Sequence, residues 1–216
     1  MGIITENLKM ILRELPTSVQ LVTVAKGRTV DEIREAMSAG AKIIGENYLQ
    51  EALVNQLQIE RNLQWHFIGH LQKNKVKQAI NTFDMIETVD SLELASEINK
   101  RCRQIGKIMP VLIEVNSGQE PNKSGVMPEN TVELAKQVAV LTNIKVQGLM
   151  TMGPITQVAA EVRPYFALTR RLFEEIGELN NNKIEMRYLS MGMSDTYRIA
   201  IEKGANMVRI GRGIFG

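Results

Sequence analysis

A lysine, two serines, two glycine-rich turns and an arginine carry most of the chemistry this sequence offers. Lys26 closes the short apolar, β-branched run Leu21-Val22-Thr23-Val24-Ala25. That run has the length and composition of a buried strand in a parallel sheet. Ligands of α/β folds bind outside the carboxyl ends of the strands, so a lysine there is placed to act on one. The plainer alternative is a strand-end lysine whose stem snorkels to water. The turns are Ser190-Met191-Gly192-Met193-Ser194-Asp195 and Gly211-Arg212-Gly213-Ile214-Phe215-Gly216. Glycines there would let the backbone approach an anion, N–H groups at a helix start would point at it, and Ser190 and Ser194 would add hydroxyls. The competing reading makes the glycines tight turns and the methionines core. Arg209 lies inside an apolar run, and burying it is costly unless it meets a partner. A ligand ring nitrogen or a neighbouring carboxylate would serve.

Other polar residues are more ambiguous. In Gly45-Glu46-Asn47-Tyr48, Asn47 either caps the next helix or aims its amide at a ligand. The only two histidines fall in Trp65-His66-Phe67-Ile68-Gly69-His70. An i, i+4 pair on a helix could bind zinc, but this pair spans a strand and the glycine that ends it, so no metal is expected. Alternation puts His66 and Ile68 on one face and Trp65 and Phe67 on the other, which makes His66 a satisfied polar group inside the sheet structure. Lys123-Ser124-Gly125 reads as a mobile surface loop or a lid. Lys73-Asn74-Lys75-Val76-Lys77 reads as a solvated helix face.

These residues are held by a repeating alternation. Strands are expected at 21–26, 42–44, 63–68, 84–87, 110–115, 145–149, 187–189 and 207–210. Helices are expected at 29–39, 48–60, 92–105, 128–141, 158–178 and 194–203, with a basic helix through Lys73, Lys75 and Lys77. Asp90-Ser91 caps one helix, Pro128 opens another, and Pro164 starts or kinks the long one. Eight strands alternating with helices favour an α/β fold, a single (β/α)8 TIM barrel with an extra amphipathic N-terminal helix. One domain over 1–216 is expected, since no linker or low-complexity tract divides the chain. Hydrophobic residues make up 44% and charged residues 23%, ordinary for a globular protein. A net charge of +2 gives no reason to expect nucleic acid or a membrane as partner. No apolar run is long enough to span a bilayer. The single cysteine and the absence of a secretory h-region point to a reducing, cytoplasmic setting.

In a barrel, the loops after the seventh and eighth strands are a common phosphate site. A lysine at the first strand beside such a cradle suits an aldehyde-bearing phosphate held as a Schiff base, and pyridoxal 5′-phosphate fits that description. Val24-Ala25-Lys26, Gly45-Glu46-Asn47-Tyr48, the 65–72 segment, Lys123-Ser124-Gly125, Gly148-Leu149-Met150-Thr151-Met152 and Ser190 to Asp195 occur in order along nearly the whole chain. Together they resemble the pyridoxal phosphate homeostasis protein family, single-domain barrels similar to the N-terminal domain of alanine racemase. The resemblance implies the cofactor on Lys26, its phosphate held by serines and backbone near Ser190, Gly192 and Ser194 and by Gly211 and Arg212, and Arg209 facing the pyridine nitrogen. From the matching motifs, Asn47, His66, Met150 and Met191 complete the expected cofactor-binding set. Two positions depart from the family's pattern: Ala25 stands where serine or threonine is common, and Arg212 where threonine is common. Backbone contacts survive both changes.

An arginine opposite the ring nitrogen cannot accept its proton, so the cofactor would be a weak electron sink. Racemisation also needs a second acid/base group on the other face of the substrate. In the resembled racemase a further domain and the partner subunit supply it, and here the sequence ends just after the eighth strand. Tyr48, Tyr165 and Cys102 are conceivable substitutes. The resemblance therefore implies a protein that holds pyridoxal phosphate, and other B6 vitamers, reversibly. It would buffer or deliver the cofactor as a monomer, in transient contact with apo-enzymes and without efficient catalysis. The alternatives are a low-activity amino-acid racemase with Lys26 as base, and a barrel for another phosphorylated metabolite with Lys26 as a plain anion partner.

Overall fold

The computed structural model describes residues 2–59, 63–154, 156, 158–179 and 181–216, and along them strands and helices alternate. α1 (Ile3–Glu14) precedes β1 (Gln20–Val24), α2 (Val30–Ala39), β2 (Ile43–Glu46) and α3 (Leu49–Gln56). Then follow β3 (Gln64–Phe67), α4 (Val76–Thr82), β4 (Met85–Val89), α5 (Leu92–Gln104) and β5 (Met109–Glu114). The final third runs α6 (Thr131–Ala139), β6 (Ile144–Thr151), α7 (Arg163–Gly177), β7 (Ile184–Met191), α8 (Tyr197–Glu202), β8 (Met207–Ile210) and α9 (Arg212–Phe215). All eight strands are parallel and close in sequence order, with β1 paired to both β2 and β8. This is a TIM barrel, and α1 is its added helix.

Local chemistry explains several boundaries. Thr29 and Glu32 form a capping box at the start of α2, and Gly40, left-handed at φ 116°, ends it. Ser91 caps α5 by accepting from Leu94 N–H. Pro164 falls in the first turn of α7, after a short 3-10 turn at Ala159–Val162, so it opens that helix and does not kink it. Along α1, Ile4, Leu8 and Ile11 are buried, and Thr5 N–H and Oγ1 donate to Glu35 Oε1 on α2 at 3.1 and 2.9 Å.

Period-two alternation sorts the strand residues into two apolar groups. Val22, Ile43, Ile68, Met85, Leu112, Met150 and Met207 pack inside the barrel. Trp65, Phe67, Leu189, Met191 and others pack outward beneath the helices. The inward faces also carry His66, Glu87, Glu114, Ser190 and Arg209, all buried.

Several expectations shift. The first strand ends at Val24, not at Lys26: Ala25 N–H still donates to Gly45 O at 2.9 Å, but Arg28 N–H then closes a turn on Ala25 O, with Gly27 at φ 69°. β2 runs through Gly45 and Glu46 instead of stopping before them, because both pair with β3. β6 and β7 are longer than the apolar runs alone imply, being extended by ladder pairing. α8 begins at Tyr197, because a hydrogen-bonded turn at 193–196 precedes it, and α9 is a helix the sequence did not suggest. The expected end of the third helix at Glu60 lies outside the described residues.

Candidate functional site

The carboxyl ends of the strands surround a mouth with two lobes. The smaller, of about 290 Å3, is lined by Val24, Asn47, Ser194, Arg209, Gly211 and Arg212 among others. The larger, of about 800 Å3, extends over the ends of β4 to β6 and under the 116–127 loop. Asn47, Ile68, Met152, Met193 and Asp195 line both, so the lobes adjoin.

Lys26 stands in the exposed turn after β1, on the same parity as the inward residues Val22 and Val24. Its Nζ lies 5.4 Å from the centre of the Tyr48 ring. The turn is tied to α3 by Gly27 N–H, which donates to Glu51 Oε2 at 2.8 Å. Asn47 does not cap α3: the capping position is Tyr48, and no side chain bonds there. The half-buried Asn47 instead lines both lobes, and its amide makes no hydrogen bond to any described residue.

The two glycine-rich turns touch. Gly213 N–H donates to Ser194 Oγ at 3.0 Å, and Arg212 pairs with Asp195 across the gap. Gly192, at φ 94°, returns its carbonyl to Arg209 N–H at 3.0 Å. The N–H groups of Ser194 and Asp195 donate to no acceptor among the described residues. Met191 points outward into the core under the helices, so only its backbone faces this region. Met150 is fully buried among the inner apolar side chains and lines neither lobe, whereas Met152, two residues on, lines both.

Beneath the smaller lobe a chain of hydrogen bonds crosses the barrel. His66 Nδ1 lies 2.7 Å from Glu87 Oε1, Ser190 Oγ donates to Glu87 Oε2 at 2.7 Å, and Arg209 Nη1 donates to Ser190 Oγ at 2.6 Å. Arg209 Nη2 also donates to Thr151 O at 2.8 Å. His66 is thus the satisfied interior histidine the alternation implied. The Ser190 hydroxyl is committed to this chain and not to the glycine turns. Burial alone would raise the Glu87 carboxyl. The hydrogen bond and charge of His66, the charge of Arg209 and the Ser190 hydroxyl outweigh it and hold Glu87 below the usual carboxylate range. Burial lowers the Arg209 guanidinium against the opposing pull of Glu87 and Glu114, yet a guanidinium stays charged in proteins. Glu114, on the floor of the larger lobe, is pushed up to about 7 by burial and by Asp90, with Arg209 opposing.

The 116–127 loop lies across the larger lobe. Asn116 Nδ2 donates to Glu120 O at 2.9 Å, Lys123 Nζ donates to Gly153 O at 3.2 Å, and Ser124 Oγ lies 3.3 Å from His70 Nδ1. The Lys123-Ser124-Gly125 segment thus lies at the mouth, packed over the larger lobe. Lys73, Asn74 and Lys77 are exposed. Among the described residues, no group of three or more His, Cys, Asp or Glu side chains could hold a metal ion. No helix among them is long and apolar enough to cross a membrane. Glu87 and Glu114 were not picked out from the sequence. Their signal was a lone carboxylate in an apolar strand run, the same kind that marked Arg209.

Comparison with known proteins gives these features a lineage. The model of the alanine racemase N-terminal domain matches residues 2–216. A protein named pyridoxal phosphate homeostasis protein from Aquifex aeolicus is 42% identical over 91% of this chain and 86% of its own. One so named from Schizosaccharomyces pombe is 38% identical over 92% and 84%. PipY of Synechococcus elongatus, solved with pyridoxal phosphate bound, superposes with a TM-score of 0.91 at 33% identity, covering 99% of this chain and 100% of PipY. Alanine racemase of Clostridium difficile gives a TM-score of 0.81 at 19% identity, over 99% of this chain and 56% of the racemase, a likeness of fold alone. The chain belongs to the alanine racemase N-terminal domain family and, within it, to the pyridoxal phosphate homeostasis proteins.

Proposed function

We propose that this protein binds pyridoxal 5′-phosphate in the smaller lobe, covalently through Lys26, and acts in the homeostasis of that cofactor by buffering or delivering it. The observation that carries the reading is the meeting, at one lobe, of Arg209 and two glycine turns bridged by Ser194 and Gly213, beside the turn that holds Lys26. The residues present fit the group. Free N–H groups at Ser194 and Asp195 suit a phosphate, and a Cβ at Gly211 would come 3.2 Å from Val24, narrowing the space between the turn and β1.

When bound, pyridoxal phosphate supplies an aldehyde for a lysine amine and an electron-accepting ring. Lys26 is the residue to hold the aldehyde carbon. Ser194, Gly211 and Arg212 take the phosphate, with Ser190 acting indirectly through Arg209. Asn47 supplies an amide free to bond a ring substituent. Arg209 would face the ring nitrogen and leave it unprotonated, since its own N–H groups only donate. His66 and Glu87 hold Arg209 in place through Ser190 and Gly192 shapes the turn, while Met150 and Met191 pack in the interior away from both lobes.

Of the three conceivable second acids, Tyr48 lies beside Lys26, its ring centre 5.4 Å from Nζ, and is the one that favours the alternative of a low-activity racemase. Cys102 is buried on α5, and Tyr165 on α7 stands apart from both lobes. The reading keeps the expectation of one domain acting as a cytoplasmic monomer in transient contact with apo-enzymes.

The test is the visible spectrum of the purified protein and of Lys26→Ala, each supplied with pyridoxal phosphate, before and after borohydride. The expected outcome is a yellow band that requires Lys26 and is bleached by reduction. A wild-type protein that stays colourless would overturn the covalent reading and leave a phosphate-binding barrel.

A further inference from the structure

The larger lobe is not needed to explain the features of the smaller one, and its polar groups are unevenly satisfied. Thr151 Oγ1 donates to Val115 O and meets Ser117 Oγ, both at 2.8 Å, and Thr88 Oγ1 donates to Gly69 O at 2.6 Å. Asn116 is tied to the backbone of the 116–127 loop. Asn47, half-buried, has no hydrogen-bond partner among the described residues, and among the buried side chains Glu114 is the exception. It is only 7% exposed, it lines the lobe, and its carboxyl makes no hydrogen bond to any described residue.

A carboxyl this little exposed keeps only partial hydration through the lobe, and a cation seated there would replace that water with a charge-assisted contact. The charged groups around it are Asp90, which repels it, and Arg209, which attracts it. Arg209 is already matched to Glu87 through Ser190, and Lys123, which also lines the lobe, to Glu120 and Gly153 O. The Glu114 carboxyl therefore keeps an unmet demand for positive charge. A divalent metal is a poor answer, because the described residues offer no third ligand and a guanidinium stands nearby. Within an otherwise largely polar lining, Ile68, Met152, Pro154 and Val162 offer apolar surface to alkyl groups.

We propose that the larger lobe binds a small organic ammonium ion, its charged nitrogen against the Glu114 carboxylate and its carbon skeleton along the Ile68, Met152 and Val162 wall. The site does not depend on the cofactor. An ammonium ion would satisfy the carboxylate, relieve its repulsion with Asp90, and add the buried area of its alkyl groups. Because the lobes share a wall, an occupant here would lie beside whatever fills the smaller one.

The test uses cofactor-free protein and a probe that cannot condense with an aldehyde. Triethylammonium chloride is titrated at about pH 8, where Glu114, at about 7, is mostly ionised, and backbone amide resonances are followed by NMR. Triethylcarbinol, of the same shape without charge, is the control. The expected result is saturable shifts at Val115, Asn116 and Thr151 with the ammonium ion, and binding on the order of tenfold weaker both for the alcohol and in Glu114→Gln. Equal binding of ion and alcohol, or no saturable shift at these residues, would overturn the proposal without reference to the variant's folding. A colourless protein in the spectral test leaves this proposal standing, so the two readings fail separately.

Discussion

Arg209 would be intolerable in a strand interior unless neighbours replaced the water it gives up. They do so through Ser190 and the carbonyl of Thr151, and Glu87 stands behind the serine. That an arginine in Met207-Val208-Arg209-Ile210 needs a partner was legible in the sequence. Which partner was not, because Ser190 and Glu87 are 103 residues apart and meet only when the barrel closes. The same reasoning explains why Ser190 and Ser194, alike in sequence context, part company. Ser190 lies on an inward strand position and is spent on the interior chain, whereas Ser194 lies in the turn and accepts from Gly213 N–H. Ser194→Ala should therefore weaken retention of pyridoxal phosphate by about 1 kcal/mol, roughly fivefold, and more where its bond to the phosphate is charge-assisted. A fluorescence titration measures this, and unchanged affinity would move the phosphate off this turn.

At the scale of elements, the strands were visible as apolar runs and the helices by their caps, but ends depended on pairing. β2 and β6 continue past their apolar stretches because the neighbouring strand supplies hydrogen bonds, a fact no single segment contains. The turns differ in how much they tolerate. At Gly192, a Cβ would stand 2.5 Å from Ala200 Cβ and 2.8 Å from Tyr197 Cα, with φ at 94°. At Gly27, φ is 69° but nothing lies within 4 Å. Gly27→Ala should thus cost about 1 kcal/mol, the backbone penalty alone. Gly192→Ala should cost more, about 3 kcal/mol or above, by forcing β7 away from α8. Urea unfolding of the two variants separates them, and equal midpoints would contradict the crowding at Gly192.

For the molecule as a whole, burial of acids shapes how stability depends on pH. Glu46 faces outward from β2 beneath α3, where Asn55 Nδ2 donates to its Oε1 at 3.0 Å and Oε2 has no partner among the described residues. Burial raises its pKa from 4.5 to about 7, against the Asn55 bond and helped by Glu51. The folded state therefore holds a proton that the unfolded chain releases at lower pH. The stability tied to that proton is fully present below the unfolded pKa, falls as pH rises, and is gone once pH passes the folded value of about 7. The span corresponds to about 3 kcal/mol. Glu46→Gln, which cannot ionise, should flatten this slope and be more stable than wild type by about 1–3 kcal/mol at about pH 8, with little difference near pH 4. Urea midpoints across that range provide the check, and parallel curves for the two proteins would contradict it.

The interior chain that ends on Arg209 also bears on time. The guanidinium is held by Ser190 and Thr151 before anything enters the mouth, so little side-chain freedom remains to be lost when a ligand arrives. Approach is governed by the open turns at the rim, and the fixed guanidinium acts after contact. Loosening His66, Glu87 or Ser190 would shorten how long a ligand stays far more than it would slow its arrival.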